Sequence, residues 1–318
     1  MSQCFADRLT DAVIAKRVPA VVNIDPVADR LPAEFAASGS SGRPTNPAAM
    51  HQCLRDFGRE VIDIVAPIVP VVKINIAYFE PYHAAGIEAY DELVGHALRQ
   101  GLIVIGDVKR GDVGHTAERY ARAQLSEQES PTPKGPDAVT VSGYFGWDGV
   151  RPFIEVARDE GKGVFVLVRT SNDSAASVQD ILTQDGGKVH EVIAALVTRW
   201  AEDSGTLGRS GYTSVGAVVA TRSAEDAARL RANMPRSIFL VPGYGAQGGK
   251  AEDFKPYFKE DGTGAIVAAG RSIIYAHDRA QYREQFGSDW RRCVEQACRD
   301  FVADLRTCLK SQESEPRP

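Results

Sequence analysis

The sequence has few cysteines and no pattern that would pair them. Five cysteines occur among 318 residues, and no C-x-x-C motif is present. An odd number without recognisable spacing argues against a disulfide framework and favours reduced thiols, as in the cytoplasm. The cysteines are at positions 4, 53, 293, 298 and 308.

Long apolar runs and an excess of basic residues are also missing. No stretch approaches the roughly 18 apolar residues of a transmembrane helix, so we expect no membrane association. The formal net charge of −5 argues against general nucleic-acid binding. The N-terminal segment MSQCFADRLTDAVIAKR carries acids within its apolar pattern, which predicts an amphipathic helix and not a signal peptide.

Several common catalytic motifs are absent. The chain contains neither a Ser-His-Asp elbow motif nor a G-x-x-x-x-G-K-[ST] loop. The histidines show no recognisable metal-ligand spacing, so the sequence predicts no metal site.

What the chain does contain is a regular alternation of strand and helix signals. The β-rich runs are continuously apolar, as expected for parallel strands covered on both faces. Eight β-then-α units predict a single-domain (β/α)8 TIM barrel over residues 1–310, with an open doubly wound sheet as the alternative. We expect an inserted loop and helix at about 36–60 and a disordered tail at 311–318. The predicted strands are 19–25, 70–76, 102–108, 137–142, 163–168, 215–220, 237–243 and 264–270.

Polar pairs end the first three predicted strands. Residues i and i+2 of a strand point the same way, so each pair would face the C-terminal mouth of a barrel, where active sites lie. One such pair could be a structural salt bridge, and an aspartate before Pro26 could be a turn former. Three successive pairs favour a charged network with perturbed pKa values. The pairs are Asn23 with Asp25, Lys73 with Asn75, and Asp107 with Lys109.

Asp112 and Thr116 follow the third strand at i,i+4 spacing. A helix that begins near Asp112 would place both on one face, although Asp112 could equally be a helix N-cap. We interpret His115, between them, as a surface or core residue.

The last two units predict a phosphate site. The loop PGYGAQGG at 242–249 offers many backbone N–H groups, and Gly270 with Arg271 follows the eighth strand. An arginine at the start of a helix suits a phosphate, and these two loops are the usual phosphate position in barrels. The charged strand ends of the first three units and the phosphate site of the last two units together indicate a small phosphorylated substrate that undergoes proton or carbanion chemistry.

The stretch DVKRGDVGHT resembles the D-x-K-x-x-D-x-x-x-T signature of the orotidine 5'-phosphate decarboxylase family. The segments VNIDP, VKINIAYFEPY, DAVTVSGYFGWDGVRPF, VFVLVRTSN and VPGYGAQGG resemble its longer, bacterial-type branch. The resemblance extends from about residue 20 to 275. It implies cofactor-independent conversion of orotidine 5'-phosphate to UMP and CO2, the last step of de novo pyrimidine nucleotide biosynthesis.

The resemblance also implies roles for the charged residues. Lys109 would protonate C6 of the pyrimidine, and Asp107 would lie beside the substrate carboxylate. Lys73 and Asp25 would contact the ribose, and Asn75 is grouped with the substrate-binding residues.

Further roles concern the partner subunit and the two ends of the substrate. Asp112 and Thr116 would reach into the neighbouring active site of a homodimer. Ser171, with Thr170 beside it, would contact the pyrimidine edge. The phosphate would be held by Gln247, Gly270 and Arg271.

Two positions depart from the family pattern, and two other functions stay open. Asp173 stands where proline commonly follows TSN, and Ala269 precedes Gly270 where a serine is expected. The alternatives are a metal-dependent decarboxylase or synthase of the sister phosphosugar barrels, and a non-catalytic nucleotide-binding protein.

Overall fold

Eight parallel strands close into a barrel in the computed structural model, which describes residues 3–35, 46–127, 135–221, 223–245 and 248–313. Neighbouring strands pair in chain order, and β8 returns to pair with β1. This confirms the predicted TIM barrel and excludes the open sheet. The strands are β1 (Ala20–Ile24), β2 (Val71–Asn75), β3 (Ile103–Arg110), β4 (Ala138–Ser142), β5 (Gly163–Arg169), β6 (Thr213–Val219), β7 (Ser237–Pro242) and β8 (Ala265–Ala269).

The helices surround this barrel. Two of them begin at caps that the sequence supplies: Asn46 Oδ1 accepts from the Ala49 N–H, and Ser223 Oγ accepts from the Asp226 N–H. The helices are α1 (Phe5–Lys16), α2 (Pro47–Val65), α3 (His83–Arg99), α4 (Gly114–Leu125), α5 (Trp147–Asp159), α6 (Ala176–Gln179), α7 (Val189–Asp203), α8 (Ala224–Asn233), α9 (Arg271–Ile274), α10 (Ala280–Phe286) and α11 (Trp290–Glu313).

The segment expected as an insertion is in part the barrel's own helix. Residues 36–45 lie outside the described part of the chain, whereas residues 47–60 belong to α2, which joins β1 to β2. At the other end of the chain, α11 continues to Glu313, three residues past the expected boundary, and residues 314–318 are not described.

Alternate strand residues build two apolar layers. One set packs outward against the helices, and the other fills the barrel interior. Helix α1 closes the N-terminal end of the barrel, because Phe5 packs edge-on against Phe165 of β5 with ring centroids 5.9 Å apart. Arg8 of the same helix pairs with the buried Asp137 at 2.5 Å. The N-terminal helix therefore belongs to the core, and the opposite end of the barrel is left for the site.

None of the described helices has the length and apolar character that crossing a bilayer requires. All five cysteines are free thiols, and four of them are buried.

Removal of the Phe5 ring should measure how much this closure stabilises the barrel. Phe5→Ala is expected to lower the free energy of unfolding by about 3–5 kcal/mol, because it leaves a cavity between α1 and the barrel interior. Chemical denaturation measures the loss. Ile14→Ala on the same helix is the matched control, since Ile14 is 65% exposed and its truncation should cost little. Equal effects of the two substitutions would contradict this role of α1.

Candidate active site

The ends of β1, β2 and β3 place their polar side chains on one rim of the barrel. Asn23 of β1 lies opposite Lys73 of β2, and Asn75 of β2 lies opposite Asp107 of β3. The expected convergence at the C-terminal mouth is therefore observed.

Asp107 is a buried carboxylate between two ammonium groups. Its Oδ2 accepts from Lys73 Nζ at 2.5 Å, and its Oδ1 accepts from Lys109 Nζ at 2.6 Å. Burial disfavours the ionised form of Asp107, but the two lysines outweigh this and hold the pKa of the carboxyl far below its usual range. Burial alone would lower the pKa of Lys73, whereas Asp107 and then Asp25 raise it above its ordinary value. Lys73 is therefore a charged, buried ammonium at neutral pH.

A bulge at the end of β3 aims Lys109 at this network. Gly106 pairs with Val139 of β4, yet the next paired residue of β3 is Arg110, so extra residues are accommodated between them. Lys109 lies in this irregular stretch with a φ of 46°, a conformation that long side chains rarely adopt. Its Nζ group is half exposed and faces the mouth.

Thr140 of β4 holds the bulge together and was missed by sequence reasoning. Its hydroxyl accepts from the Lys109 backbone N–H at 3.0 Å and donates to Asp107 Oδ1 at 2.9 Å. Thr140 is buried, so one hydroxyl positions both the backbone of Lys109 and the carboxylate of Asp107. A threonine inside a strand carries no sequence signal of such a role.

Asp25 and Asn23 leave buried acceptors without partners. Asp25 Oδ1 and Asn23 Oδ1 make no hydrogen bond to any described residue. Burial raises the pKa of the Asp25 carboxyl above its ordinary value, although the Lys73 ammonium opposes the rise. Orphaned buried acceptors at a barrel mouth suit a ligand that brings hydroxyl donors. Gly270 permits this crowding, because a Cβ there would lie 3.0 Å from Asn23 and 3.2 Å from Asp25.

Arg271 follows β8, the strand that pairs with β1, and lies in a cationic hollow. It is exposed and makes no hydrogen bond or ion pair to a described side chain. Two further guanidinium groups, which sequence reasoning missed, share a cavity of about 300 Å³ with it. The cavity is lined by Arg30, Gly245, Arg271, Ser272 and Arg279. The helix that begins at Arg271 has only four residues, so an anion in this hollow would be held by these side chains more than by a helix terminus. Gln247 lies outside the described residues.

The remaining predicted binding residues form no hydrogen bond to the charged network among the residues that the structure describes. Ser171 is exposed and lines a cavity of about 690 Å³ over the ends of β5, β6 and β7, which contains no member of the network. The Thr170 hydroxyl is bonded to Gln179 and Asn172. Asn75 Oδ1 accepts from the Ala77 N–H at 3.2 Å and so caps the turn after β2.

Asp112 and Thr116 lie on the connection between β3 and α4. The helix begins at Gly114 with Val113 as its N-cap, so Asp112 is not the capping residue. Its carboxylate instead accepts from the Val113 N–H at 2.7 Å. No contact joins Asp112 or Thr116 to the Asp107 network within the described chain.

An eight-stranded α/β barrel with a Lys–Asp–Lys network at its mouth defines the class of this protein as a barrel enzyme. The sequence profile of the orotidine 5'-phosphate decarboxylase / HUMPS family matches residues 52–286. Because this match covers most of the chain, the chain belongs to that family, and the resemblance noted in the sequence is confirmed.

Individual relatives agree with the family match. The orotidine 5'-phosphate decarboxylase of Rhodopirellula baltica is 40% identical over 92% of this chain and 96% of its own length. That of Caldicellulosiruptor bescii is 36% identical over 96% of this chain and 99% of its own. The solved structure of Leishmania donovani OMP decarboxylase superposes with a TM-score of 0.71 at 25% identity and covers 97% of this chain and 99% of that one.

Replacing the central carboxylate should destabilise the fold in a pH-dependent way. Asp107→Asn is expected to cost roughly 3–5 kcal/mol at pH 7, because it leaves the Lys73 ammonium buried without its partner. The depressed pKa of Asp107 means that its charge stabilises the native state above the ordinary aspartate value of about 4. The difference from the wild type should therefore shrink as the pH falls below that value.

Denaturation at several pH values measures this difference. Asp203→Asn is the control, because Asp203 is exposed at the end of α7. A gap between wild type and Asp107→Asn that stays constant on acidification would contradict the charged network.

Proposed function

We propose that this protein is a carboxy-lyase that decarboxylates orotidine 5'-phosphate to UMP and CO2 without a cofactor. The observation that carries the proposal is the Lys73–Asp107–Lys109 network at the barrel mouth, in which Lys73 and Asp107 are buried and Lys109 is half exposed. The family match supports the reaction, and the positions of the D-x-K-x-x-D-x-x-x-T signature support the residue roles.

The chemistry needs stabilisation of a localised carbanion. The bond from C6 to the carboxylate breaks, its electron pair stays on C6, and CO2 leaves. The Lys109 ammonium would stabilise this charge and then transfer a proton from Nζ to C6. Solvent can reprotonate the resulting amine, since the Lys109 side chain is half exposed.

Asp107 acts on both the substrate and the lysines. It orients Lys109 and favours its charged form. A substrate carboxylate placed beside Asp107 would be repelled, and this repulsion falls as CO2 departs. Asp25 and Lys73 would hold the ribose hydroxyls, which suits the unpartnered oxygen of Asp25.

The cationic hollow around Arg271 is the proposed phosphate site. Gly270 and Arg271 contribute as the family pattern implies, with Gln247, and Arg30 and Arg279 add charge beside them. Binding energy from the phosphate, remote from C6, would order the mouth around the pyrimidine. Ser171, with Thr170 beside it, would contact the pyrimidine edge.

We further propose a homodimer in which Asp112 and Thr116 complete the partner's site. Apolar side chains are exposed around the connection between β3 and α4. Because large exposed apolar patches are uncommon on monomers, this patch supports a subunit interface. Phe145 packs against Gly111, and the backbone of Asp112 lies against Gly149. The exposed residues beside them are Val113, Tyr144, Phe145 and Trp147. The free thiols support a cytoplasmic location for this dimer.

Truncation of the proposed acid tests the reaction directly. Lys109→Ala should lower kcat for orotidine 5'-phosphate by at least about 100-fold, because it removes both the proton donor and the charge that stabilises the carbanion. CO2 release and the loss of substrate absorbance measure turnover. Arg299→Ala, which removes an exposed cation on α11, is the control. Undiminished turnover by Lys109→Ala would refute the role. Loss of wild-type turnover in EDTA would favour the metal-dependent relatives.

Subunit mixing tests the shared site. Lys109→Ala and Asp112→Ala homodimers should each be nearly inactive. A mixed dimer holds one site with both substitutions and one with neither, so activity should recover to about one quarter of the wild-type value if subunits exchange at random from an equal mixture. Native mass spectrometry confirms the exchange. No recovery despite confirmed exchange would place Asp112 in its own subunit's site or outside any site.

A further inference from the structure

Helices α2 and α3 bring together three metal-ligating side chains outside the barrel mouth. His51 lies on α2, and Glu88 and Glu92 lie one helical turn apart on α3. One ligand atom from each lies within 4.8 Å of the other two. His51 is separated from the two glutamates by the rest of α2 and by β2, so ligand spacing in the sequence does not reveal the cluster.

The geometry of His51 and Glu92 suits coordination better than a hydrogen bond. His51 Nε2 lies 3.3 Å from Glu92 Oε1. Bonds of about 2.0–2.2 Å to a tetrahedral zinc ion place two ligand atoms roughly 3.3–3.5 Å apart. The Nε2 atom is buried and has no hydrogen-bond partner among the described residues. It is therefore an unsatisfied buried nitrogen close to two carboxylates.

A second histidine–carboxylate pair joins the same two helices, and its shorter distance distinguishes it from the pair of His51 and Glu92. His96 Nε2 of α3 lies 2.6 Å from Asp63 Oδ1 of α2. That distance is a normal charge-assisted hydrogen bond and is too short for two ligands of one ion. Asp63 Oδ1 also accepts from Gln100 at 2.9 Å, so this pair is satisfied without a metal.

Arg55 places a positive charge beside the cluster of His51, Glu88 and Glu92. Its Nε lies 3.8 Å from Glu92 Oε2, on the carboxylate oxygen that does not face His51. The single Nε–H of Arg55 is donated to Asp56 Oδ1 at 2.8 Å, so its contact with Glu92 is only a long ion pair, which leaves Oε1 of Glu92 available. The charge of Arg55 also repels a cation, so we expect moderate affinity.

We propose that His51, Glu88 and Glu92 bind one divalent transition-metal ion, with Zn²⁺ as the best fit, and that the ion clamps α2 to α3. One imidazole and two carboxylates suit Zn²⁺ better than Mg²⁺ or Ca²⁺, which prefer all-oxygen sites. Three protein ligands leave a fourth position for water. The site lies on the outer helices and does not involve the Lys109 network, so its role is structural and independent of the proposed reaction.

The test titrates chelator-treated, full-length protein with ZnCl2 and follows the melting temperature by calorimetry. A ligand at roughly a hundredfold excess over its Kd should raise the melting temperature of the wild type by about 3–6 °C. His51→Gln and Glu88→Gln should each weaken zinc binding by at least about tenfold, since loss of a ligand costs no less than loss of a supporting contact. Glu88 is exposed, so its substitution should leave the fold intact.

His96→Gln is the matched control, because it removes the histidine of the satisfied pair on the same helices. It should leave the zinc-induced shift unchanged. Substitution with CoCl2 gives an independent readout, since visible absorption reports coordination by protein ligands. This absorption should appear in the wild type and His96→Gln and be lost in His51→Gln.

Three outcomes would overturn the proposal. The first is no zinc-induced shift in the wild type, which would leave His51 and Glu92 as an ion pair only. The second is an equal shift in His51→Gln, and the third is loss of the shift in His96→Gln. None of these measurements uses turnover, so they are independent of whether the protein is a decarboxylase.

Discussion

Two ammonium groups bonded to one buried carboxylate form the interaction on which the mouth of this barrel depends. Asp107 alone would be costly to bury, and Lys73 alone would lose its charge. Together they keep each other ionised, and Lys109 is drawn into the same cluster at 2.6 Å. The cluster thus maintains two ammonium groups beside a carboxylate at the barrel mouth, with Lys109 open to solvent. Such preorganised charge can stabilise a carbanion without a metal or an organic cofactor.

The fold supplies the rigidity that this cluster needs. Lys73 and Asp107 lie on neighbouring parallel strands, two residues apart in register, and their side chains meet at the barrel mouth. Lys109 lies in the bulge of β3 and bonds to the same carboxylate. Thr140 secures the bulge from the next strand. At the other end of the barrel α1 fills the interior, so the polar rim rests on a packed apolar core.

Two kinds of charge therefore occupy separate places. In the Lys–Asp–Lys cluster Lys73 and Asp107 are buried and Lys109 is half exposed, and one carboxylate offsets part of the charge of two ammonium groups. The arginines around Arg271 line an open hollow, in which Arg30 is paired with Asp278. This division matches a substrate with an anionic tail and a reactive centre several bonds away. The cluster of His51, Glu88 and Glu92 is separate from both, and it bears on how the outer helices are held together.

The sequence by itself determined the eight alternating strand and helix segments, because continuous apolar runs and helical periodicity depend only on neighbours along the chain. The pairing of β8 with β1 decided that these segments close into a barrel. The sequence also determined which strand ends are polar, since i,i+2 spacing fixes a common side of a strand. Only the tertiary structure decided which of these groups meet. The bulge around Lys109, the hydroxyl of Thr140, the unpartnered oxygen of Asp25 and the arginines beside Arg271 all arise from contacts between elements distant in sequence. Burial and pairing set the charge states there, and both are properties of the packed molecule and not of any one segment.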